Sequence, residues 1–416
     1  MKLTPSPFAP ETFPNLPDIK GVRAATGSRG FYAARGLQRD DVFLFAFDPG
    51  TVCAGVYTRS STASADVLWC RQALSEGGGH ARALVANSGN SNAFTGPKGV
   101  LKNDATLAAM MQALDVRKAH CFLAATGVIG EPLADPNYVG SIVPDLAATL
   151  APPDWLACAR AFMTTDTYPK GAGQTCTLGG DAVAFSGIAK GSGMIAPNMA
   201  TMLAYVFTDA AIAPDLLDRA LRSATNASFN AITVDSDTST SDTLMVFATG
   251  QSGMATIEQA DDPRYGEFET ALTQICTELA MQVVKDGEGA RKFITIHVEG
   301  AASPASARKM AADTANSPLV KTALAASDAN WGRVVMAIGK SGEPIDMDKL
   351  AIWFGDVQVA TGGARTPDYS EAAASAACAE ANISIRIRVG EGPGSATMYT
   401  CDLTHAYIDI NGAYRT

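Results

Sequence analysis

Between Lys190 and Ala210 the chain reads KGSGMIAPNMATMLAYVFTDA, a glycine turn that runs straight into an apolar, strand-like run. The strand pattern DAVAFSGIAK closes on Lys190 and a second strand is expected to Phe207, so two apolar strands flank the turn. At the centre lies the Ala200–Thr201 bond. A threonine among Met, Leu, Tyr and Val is ordinarily a β-branched strand residue. Its hydroxyl, however, sits on Cβ within reach of the preceding carbonyl if the local peptide is bent. Attack there would move the acyl link from nitrogen to oxygen, and hydrolysis of the ester would leave Thr201 as a new N-terminus. Such a residue holds a nucleophile and, in its α-amine of reference pKa about 8, a base. Only Ser, Thr and Cys can do this, and the local sequence leaves both readings open.

The rest of the chain alternates short apolar strands with helices, an α/β (α+β) pattern, and 416 residues exceed one ordinary hydrophobic core, so two or three domains are expected. VFLFAF (Val42 to Phe47) and VCAGVY (Val52 to Tyr57) flank the turn formers Asp48-Pro49-Gly50, a hairpin-like signal. Helical spacing marks Lys102 to Leu114, Trp155 to Met163, Pro214 to Ser223 and roughly Tyr265 to Val284. From Phe293 to Leu403, KFITIHVEG, AIWFGDVQVA, ISIRIRV and SATMYTCDL alternate with helices and read as a smaller C-terminal α/β domain. NWGR (Asn330 to Arg333) is expected as a joint between the parts. No internal repeat or long low-complexity linker is present.

Charge and cysteine usage exclude several functions. The formal net charge is −10 and no Lys/Arg cluster occurs, which argues against a nucleic-acid partner. The eight cysteines include no C-x-x-C pair and no Cys/His grouping, so metal and redox sites fail on spacing and buried free thiols are expected. No apolar run reaches the roughly 18 residues of a membrane helix. Met1 to Lys20 is polar and proline-rich, unlike a secretion signal, and a cytoplasmic protein is expected.

Several polar stretches have two local readings. Thr126 and Gly127 follow the apolar CFLA at a strand end, where a plain turn or a pair of oxyanion donors would fit. TTDTYPK (Thr164 to Lys170) reads as a capped loop with Asp166 as N-cap or turn former. Lys190 stands on the wrong side of GSG for a phosphate loop, which leaves a solvated strand-end charge. FNAITVDSDTSTSDT (Phe229 to Thr243) lacks EF-hand spacing counted from Asp235 and is given a structural or supporting role. Glu288 lies between two glycines, as a turn residue or a carboxylate reaching into a cleft.

GVRAATGSRGFY (Gly21 to Tyr32), AGVYTRS (Ala54 to Ser60), ANSGNSNAFTG (Ala86 to Gly96), AATGVIGEPL (Ala124 to Leu133), TTDTYPK, NMATML around Thr201, FNAITVDSDTSTSDT, DGEGARKFI (Asp286 to Ile294), DANWGRVVMAIGKSG (Asp328 to Gly342) and DINGAYRT (Asp409 to Thr416) together resemble, in order and over nearly the whole chain, the ornithine acetyltransferase or glutamate N-acetyltransferase family. The resemblance implies self-cleavage between Ala200 and Thr201 into chains 1–200 and 201–416. It implies a layered α-β-β-α-like sandwich of the type shared with self-processing aminopeptidases. Thr201 is then the nucleophile, Thr126 and Gly127 the oxyanion hole, and Thr164, Lys190, Thr201, Glu288, Asn411 and Thr416 the substrate contacts. The implied reaction moves an acetyl group from N2-acetylornithine to glutamate through an acetyl-threonine, in arginine biosynthesis, without metal or bound cofactor. Acetyl-CoA is open as a further donor, an α2β2 heterotetramer is implied, and a related aminopeptidase or amidohydrolase activity is the alternative. Where the family form has D-G-D-T-S-T-N-D this chain carries Ser236 and Ser241, with the aspartates kept.

Overall fold

VFLFAF is apolar at every position because both of its faces are covered: Phe43, Phe45 and Phe47 point to one core and Val42 and Leu44 to another. The computed structural model describes residues 4–33, 36–196 and 202–412. Its first elements are β1 (Val22–Gly27), β2 (Val42–Phe47), β3 (Val52–Tyr57), α1 (Ala65–Glu76), β4 (Ala83–Asn87), α2 (Pro97–Leu114), β5 (Cys121–Ala125), α3 (Val143–Ala148) and α4 (Trp155–Ala161). β6 (Lys170–Leu178), β7 (Asp181–Lys190), β8 (Leu203–Thr208), α5 (Pro214–Ala227), β9 (Thr243–Ala248) and α6 (Pro263–Lys285) follow.

These form two sheets laid face to face. One has the order β1-β2-β4-β5 and the other β3-β9-β8-β7-β6. Between them Phe47 stacks on Phe247 at 4.4 Å and Phe45 on Phe207 at 4.6 Å between ring centroids. Strand alternation then sends Ala204, Val206, Leu244 and Val246 to the opposite face, against α5 and α6. On the other side α2 and α3 cover Val42, Leu44, Val85 and Leu123. The result is an α-β-β-α sandwich, with α1 closing the flank of β5 and β3 and α4 that of β1 and β6. The hairpin expected at Asp48–Gly50 does not form. β2 pairs antiparallel with β1 and β4 while β3 pairs with β9, so this turn carries the chain from one sheet to the other.

β10 (Phe293–Ala301), α7 (Pro304–Ala315), α8 (Pro318–Ala325), α9 (Trp331–Gly339), β11 (Ala351–Phe354), β12 (Val357–Thr361), β13 (Ala364–Arg365), α10 (Glu371–Ala379), β14 (Asn382–Arg388) and β15 (Gly394–Cys401) make a third, six-stranded sheet with its own core. β14 alternates strictly, Ile383, Ile385 and Ile387 buried and Ser384, Arg386 and Arg388 exposed, as a sheet covered on one face requires. NWGR is not a joint. Asn330 caps α9 by accepting from the Arg333 N–H, and Val334, Ala337 and Ile338 belong to this unit's core. Contacts with the sandwich include Thr233, whose N–H donates to Tyr399 O at 2.9 Å and whose hydroxyl donates to Asn316 Oδ1 at 2.6 Å, and Arg308, which donates to Asn226 O at 3.3 Å. α11 (His405–Asn411) ends the described chain.

Candidate active site

Three chain ends meet at one edge of the sandwich: the exit of β5, the exit of β7 and the loop after α6. They enclose a cleft of about 400 Å³. Thr126, Gly127, Thr164, Lys190, Glu288 and Asn411 all line it, so the six described residues expected at a site, from five separate stretches, converge. Ala200, Thr201 and Thr416 lie outside the described residues, as does the Ala200–Thr201 boundary between the two expected chains. The nearest described neighbours of that bond are Ala196 and the buried Met202.

At the end of β5 the chain turns under the loop after β4. Gly127 has φ +124°, and a Cβ there would stand 2.5 Å from Gly89 C and 2.8 Å from Asn90 N, so only glycine fits. The Thr126 N–H is spent on Asn87 O at 3.0 Å. Its hydroxyl is placed differently, accepting from Lys190 Nζ at 3.4 Å. A hydroxyl that accepts from an ammonium keeps its own proton to donate, which suits a developing oxyanion in the cleft.

Lys190 ends β7 and is 5% exposed, not a solvated strand-end charge. Among the described residues it forms no ion pair, and burial lowers its pKa from the ordinary lysine value. A buried ammonium so placed favours an incoming carboxylate. Glu288 supplies the opposite charge. It accepts from Asn411 Nδ2 at 2.6 Å, and its N–H donates to Ser192 O at 3.0 Å. Gly193 makes room for it, because a Cβ there would overlap the Glu288 carboxyl group. The GSG turn and the DGEG loop are therefore built around each other.

Behind this wall lies a charge cluster that local sequence did not reveal. Lys170 Nζ contacts Asp166 Oδ1 at 2.7 Å and Asp286 Oδ2 at 2.6 Å, all three side chains fully buried. Asp166 is thus no simple cap: it accepts from Gly191 N–H at 2.6 Å and Thr164 N–H at 2.9 Å, tying two walls of the cleft together. Burial pushes its pKa up, but the Lys170 and Lys190 ammonium groups outweigh that and hold it well below the usual carboxylate range. Asp286 takes the Thr167 N–H at 2.9 Å and the Thr167 hydroxyl, and burial raises its carboxyl. An Asp and a Lys four apart in a loop carry no pattern that forecasts such a triad.

The segment from Phe229 to Thr243, expected in a structural or supporting role, reaches the cleft itself. Asp237, Thr238, Ser239, Thr240 and Ser241 line the cleft. Asp235 also lines it and accepts from Met194 N–H at 2.6 Å and Ile195 N–H at 2.8 Å, which pins Met194 in a left-handed turn at φ +57°. Tyr407 of α11 donates to Asp235 Oδ2 at 3.3 Å. The density of hydroxyl and carboxyl groups in that stretch was the available signal. Thr165 lines the cleft beside Thr164. Among the described residues no group of three His, Cys, Asp or Glu side chains could hold a metal, and no helix is long and apolar enough to cross a membrane. Seven of the eight free cysteines are buried and Cys176 is partly so.

Comparison with known proteins gives a consistent picture. A family model described as the ArgJ family matches residues 26–416. The Arginine biosynthesis bifunctional protein ArgJ of Rhizobium meliloti (strain 1021) is 53% identical over 99% of this chain and 99% of that protein. The protein of the same name from Brucella suis biovar 1 (strain 1330) is 52% identical over the full length of both. The crystal structure of Arginine biosynthesis bifunctional protein argJ from Bacillus halodurans, at 39% identity, covers 50% of this chain and 96% of its own, with a TM-score of 0.48.

Proposed function

This chain belongs to the ArgJ family, and on that premise we propose that it is an arginine-biosynthesis acetyltransferase, moving an acetyl group from N2-acetylornithine to glutamate in the cytoplasm. The observation that carries the reading is the pairing, across one cleft, of a buried Lys190 ammonium without a carboxylate partner among the described residues and a Glu288 carboxylate fixed by Asn411. A substrate with a carboxylate at one end and an ammonium at the other matches that pair.

The reaction runs in two halves. Self-cleavage between Ala200 and Thr201 first frees the Thr201 α-amine and divides the protein into chains 1–200 and 201–416. Thr201 Oγ, its proton passing to that amine, attacks the acetyl carbonyl of N2-acetylornithine. The Thr126 hydroxyl and the Gly127 N–H hold the oxyanion. The tetrahedral intermediate then expels the α-nitrogen of ornithine, which takes the proton back, and leaves an acetyl ester on Thr201. Glutamate enters, its α-amine attacks the ester, and N-acetylglutamate departs as the hydroxyl is restored. Lys190 takes the carboxylate of each substrate, Glu288 the ornithine side-chain ammonium, and Thr164, Asn411 and Thr416 complete the pocket. Water must be kept from the ester, or the enzyme becomes a deacetylase. No cofactor is needed.

The relatives are named bifunctional, which supports a second activity with acetyl-CoA as donor to glutamate. The assembly proposed is an α2β2 heterotetramer of two cleaved chains, checked by its mass in solution. The reaction is tested by product analysis with and without glutamate. N-acetylglutamate formed in step with ornithine supports the reading. Free acetate released at the same rate without glutamate would make the protein a hydrolase of the aminopeptidase or amidohydrolase kind.

A further inference from the structure

The cluster behind the cleft holds four buried charges, and their arrangement is unequal. Lys170 is shared by two carboxylates at 2.6 and 2.7 Å, whereas Lys190 Nζ hydrogen-bonds only to the Thr126 hydroxyl among the described residues. Asp166, Lys170 and Asp286 sum to one negative charge, so the group is neutral only when Lys190 is an ammonium. Asp166 is the member fixed to Lys190's own peptide: its Oδ1 bridges Lys170 Nζ and the N–H of Gly191, the next residue. That bridge holds a carboxylate near Lys190 and, because the same oxygen is already engaged twice, leaves the Lys190 ammonium open to the cleft.

We propose that Asp166 is a positioning residue that keeps buried Lys190 protonated and unpaired for a substrate carboxylate, with Lys170 and Asp286 holding Asp166 in place. The inference rests on the reading of Lys190 as the carboxylate contact. The groups that act on Lys190 are Asp166 from the loop before β6, Lys170 at the start of β6, Glu288 from the loop after α6 and Asp242 before β9. Of these Asp166 favours the ammonium most strongly and Lys170 opposes it. Asp235 and Asp237 also line the cleft. The two neighbours of opposite sign therefore shift Lys190 in opposite directions.

The test is NMR of the full-length protein carrying isotope-labelled lysine, the Lys190 resonance being identified by its loss in Lys190→Arg. Lys190 is expected to be charged at neutral pH in the wild type. In Asp166→Asn its titration moves to lower pH, by about one pH unit, and in Lys170→Met it moves to higher pH. A neutral Lys190 in the wild type, an unmoved titration in Asp166→Asn, or shifts of the same sign in both variants would overturn the inference. Each variant has its own required direction, so either one that folds decides. Acetyl transfer is followed on the same samples. In Asp166→Asn the KM for N2-acetylornithine should rise toward alkaline pH with kcat little changed. A wild type that moves no acetyl group from N2-acetylornithine to glutamate refutes the functional reading instead, and the titration still answers for Asp166.

Discussion

The space between the two sheets and the wall of the cleft are both dry, and they are held in different ways. Between the sheets Phe43, Phe45, Phe47, Phe207 and Phe247 pack ring on ring, and stability there comes from area removed from water and from stacking. At the cleft Asp166, Lys170, Asp286 and Lys190 are buried too; the first three are tolerated through charge partners and backbone N–H groups, whereas Lys190 has only the Thr126 hydroxyl among the described residues. Any rings of the right size serve the first region. The second works only with each atom in place, because an unpaired buried charge costs more than a cavity. Changes between the sheets should therefore lower stability and spare the chemistry of the surviving molecules, whereas changes at the cleft should strike the chemistry whatever they do to stability.

The largest effect is expected between the sheets. Phe207→Ala removes a ring stacked on Phe45 and Phe247 and should cost about 3–5 kcal/mol in urea unfolding, with kcat and KM of the folded fraction unchanged. A loss of kcat in the folded fraction would break the separation. Next comes Gly127→Ala, whose Cβ meets Gly89 and Asn90 and would displace the proposed oxyanion donor. Acetyl transfer should fall by about 100- to 1000-fold, with a smaller change in the unfolding midpoint. Lys190→Met should raise the KM of both substrates by about 10- to 100-fold, the loss of a charge-assisted hydrogen bond.

A pH profile sharpens the same contrast. Lys190 has its pKa lowered by burial, so it loses its proton below the ordinary lysine value of 10.5, and substrate carboxylate binding is present below that transition and lost above it. The alkaline limb of kcat/KM for N2-acetylornithine should vanish in Lys190→Arg, since a guanidinium stays charged. The smallest effect is expected at Ser236, which sits at φ +66° in the Asp235–Thr243 stretch. Ser236→Gly relieves left-handed strain of about 1 kcal/mol and gives part of it back as chain entropy, so a rise in Tm of a degree or two is the expected sign.

The two regions also differ in how far the sequence discloses them. Several strands, such as VFLFAF, VCAGVY and DAVAFSGIAK, and the long helices were legible from period and composition, because burial imprints a pattern on each segment separately. Their partners were not. Asp48-Pro49-Gly50 has the residues of a hairpin turn, and a turn signal says that the chain bends without saying which strand it meets next. The unbroken apolar run of VFLFAF was the better clue, since a strand covered on both faces belongs in the middle of a sheet. NWGR misled in a similar way, its Asn330 being a helix cap inside one core.

At the site, Thr126, Gly127, Thr164, Lys190, Glu288 and Asn411 were found through family motifs, and their convergence on one cleft is a property of the fold. Lys170 and Asp286, 116 positions apart, join only after β6 and α6 are packed, so no local spacing could pair them. Gly193 has the same origin: its reason is the Glu288 carboxyl group, which approaches from a distant loop.

In the proposed reaction everything turns on Thr201, a nucleophile that is freed and then acetylated. Intact mass spectrometry after a brief incubation with N2-acetylornithine alone, quenched in acid, reads both steps at once. The wild type should give two pieces, 1–200 and 201–416, the second heavier by one acetyl group, while Thr201→Ala remains a single unmodified chain. A wild type that stays intact, or a Thr201→Ala chain still cut after Ala200, would contradict it.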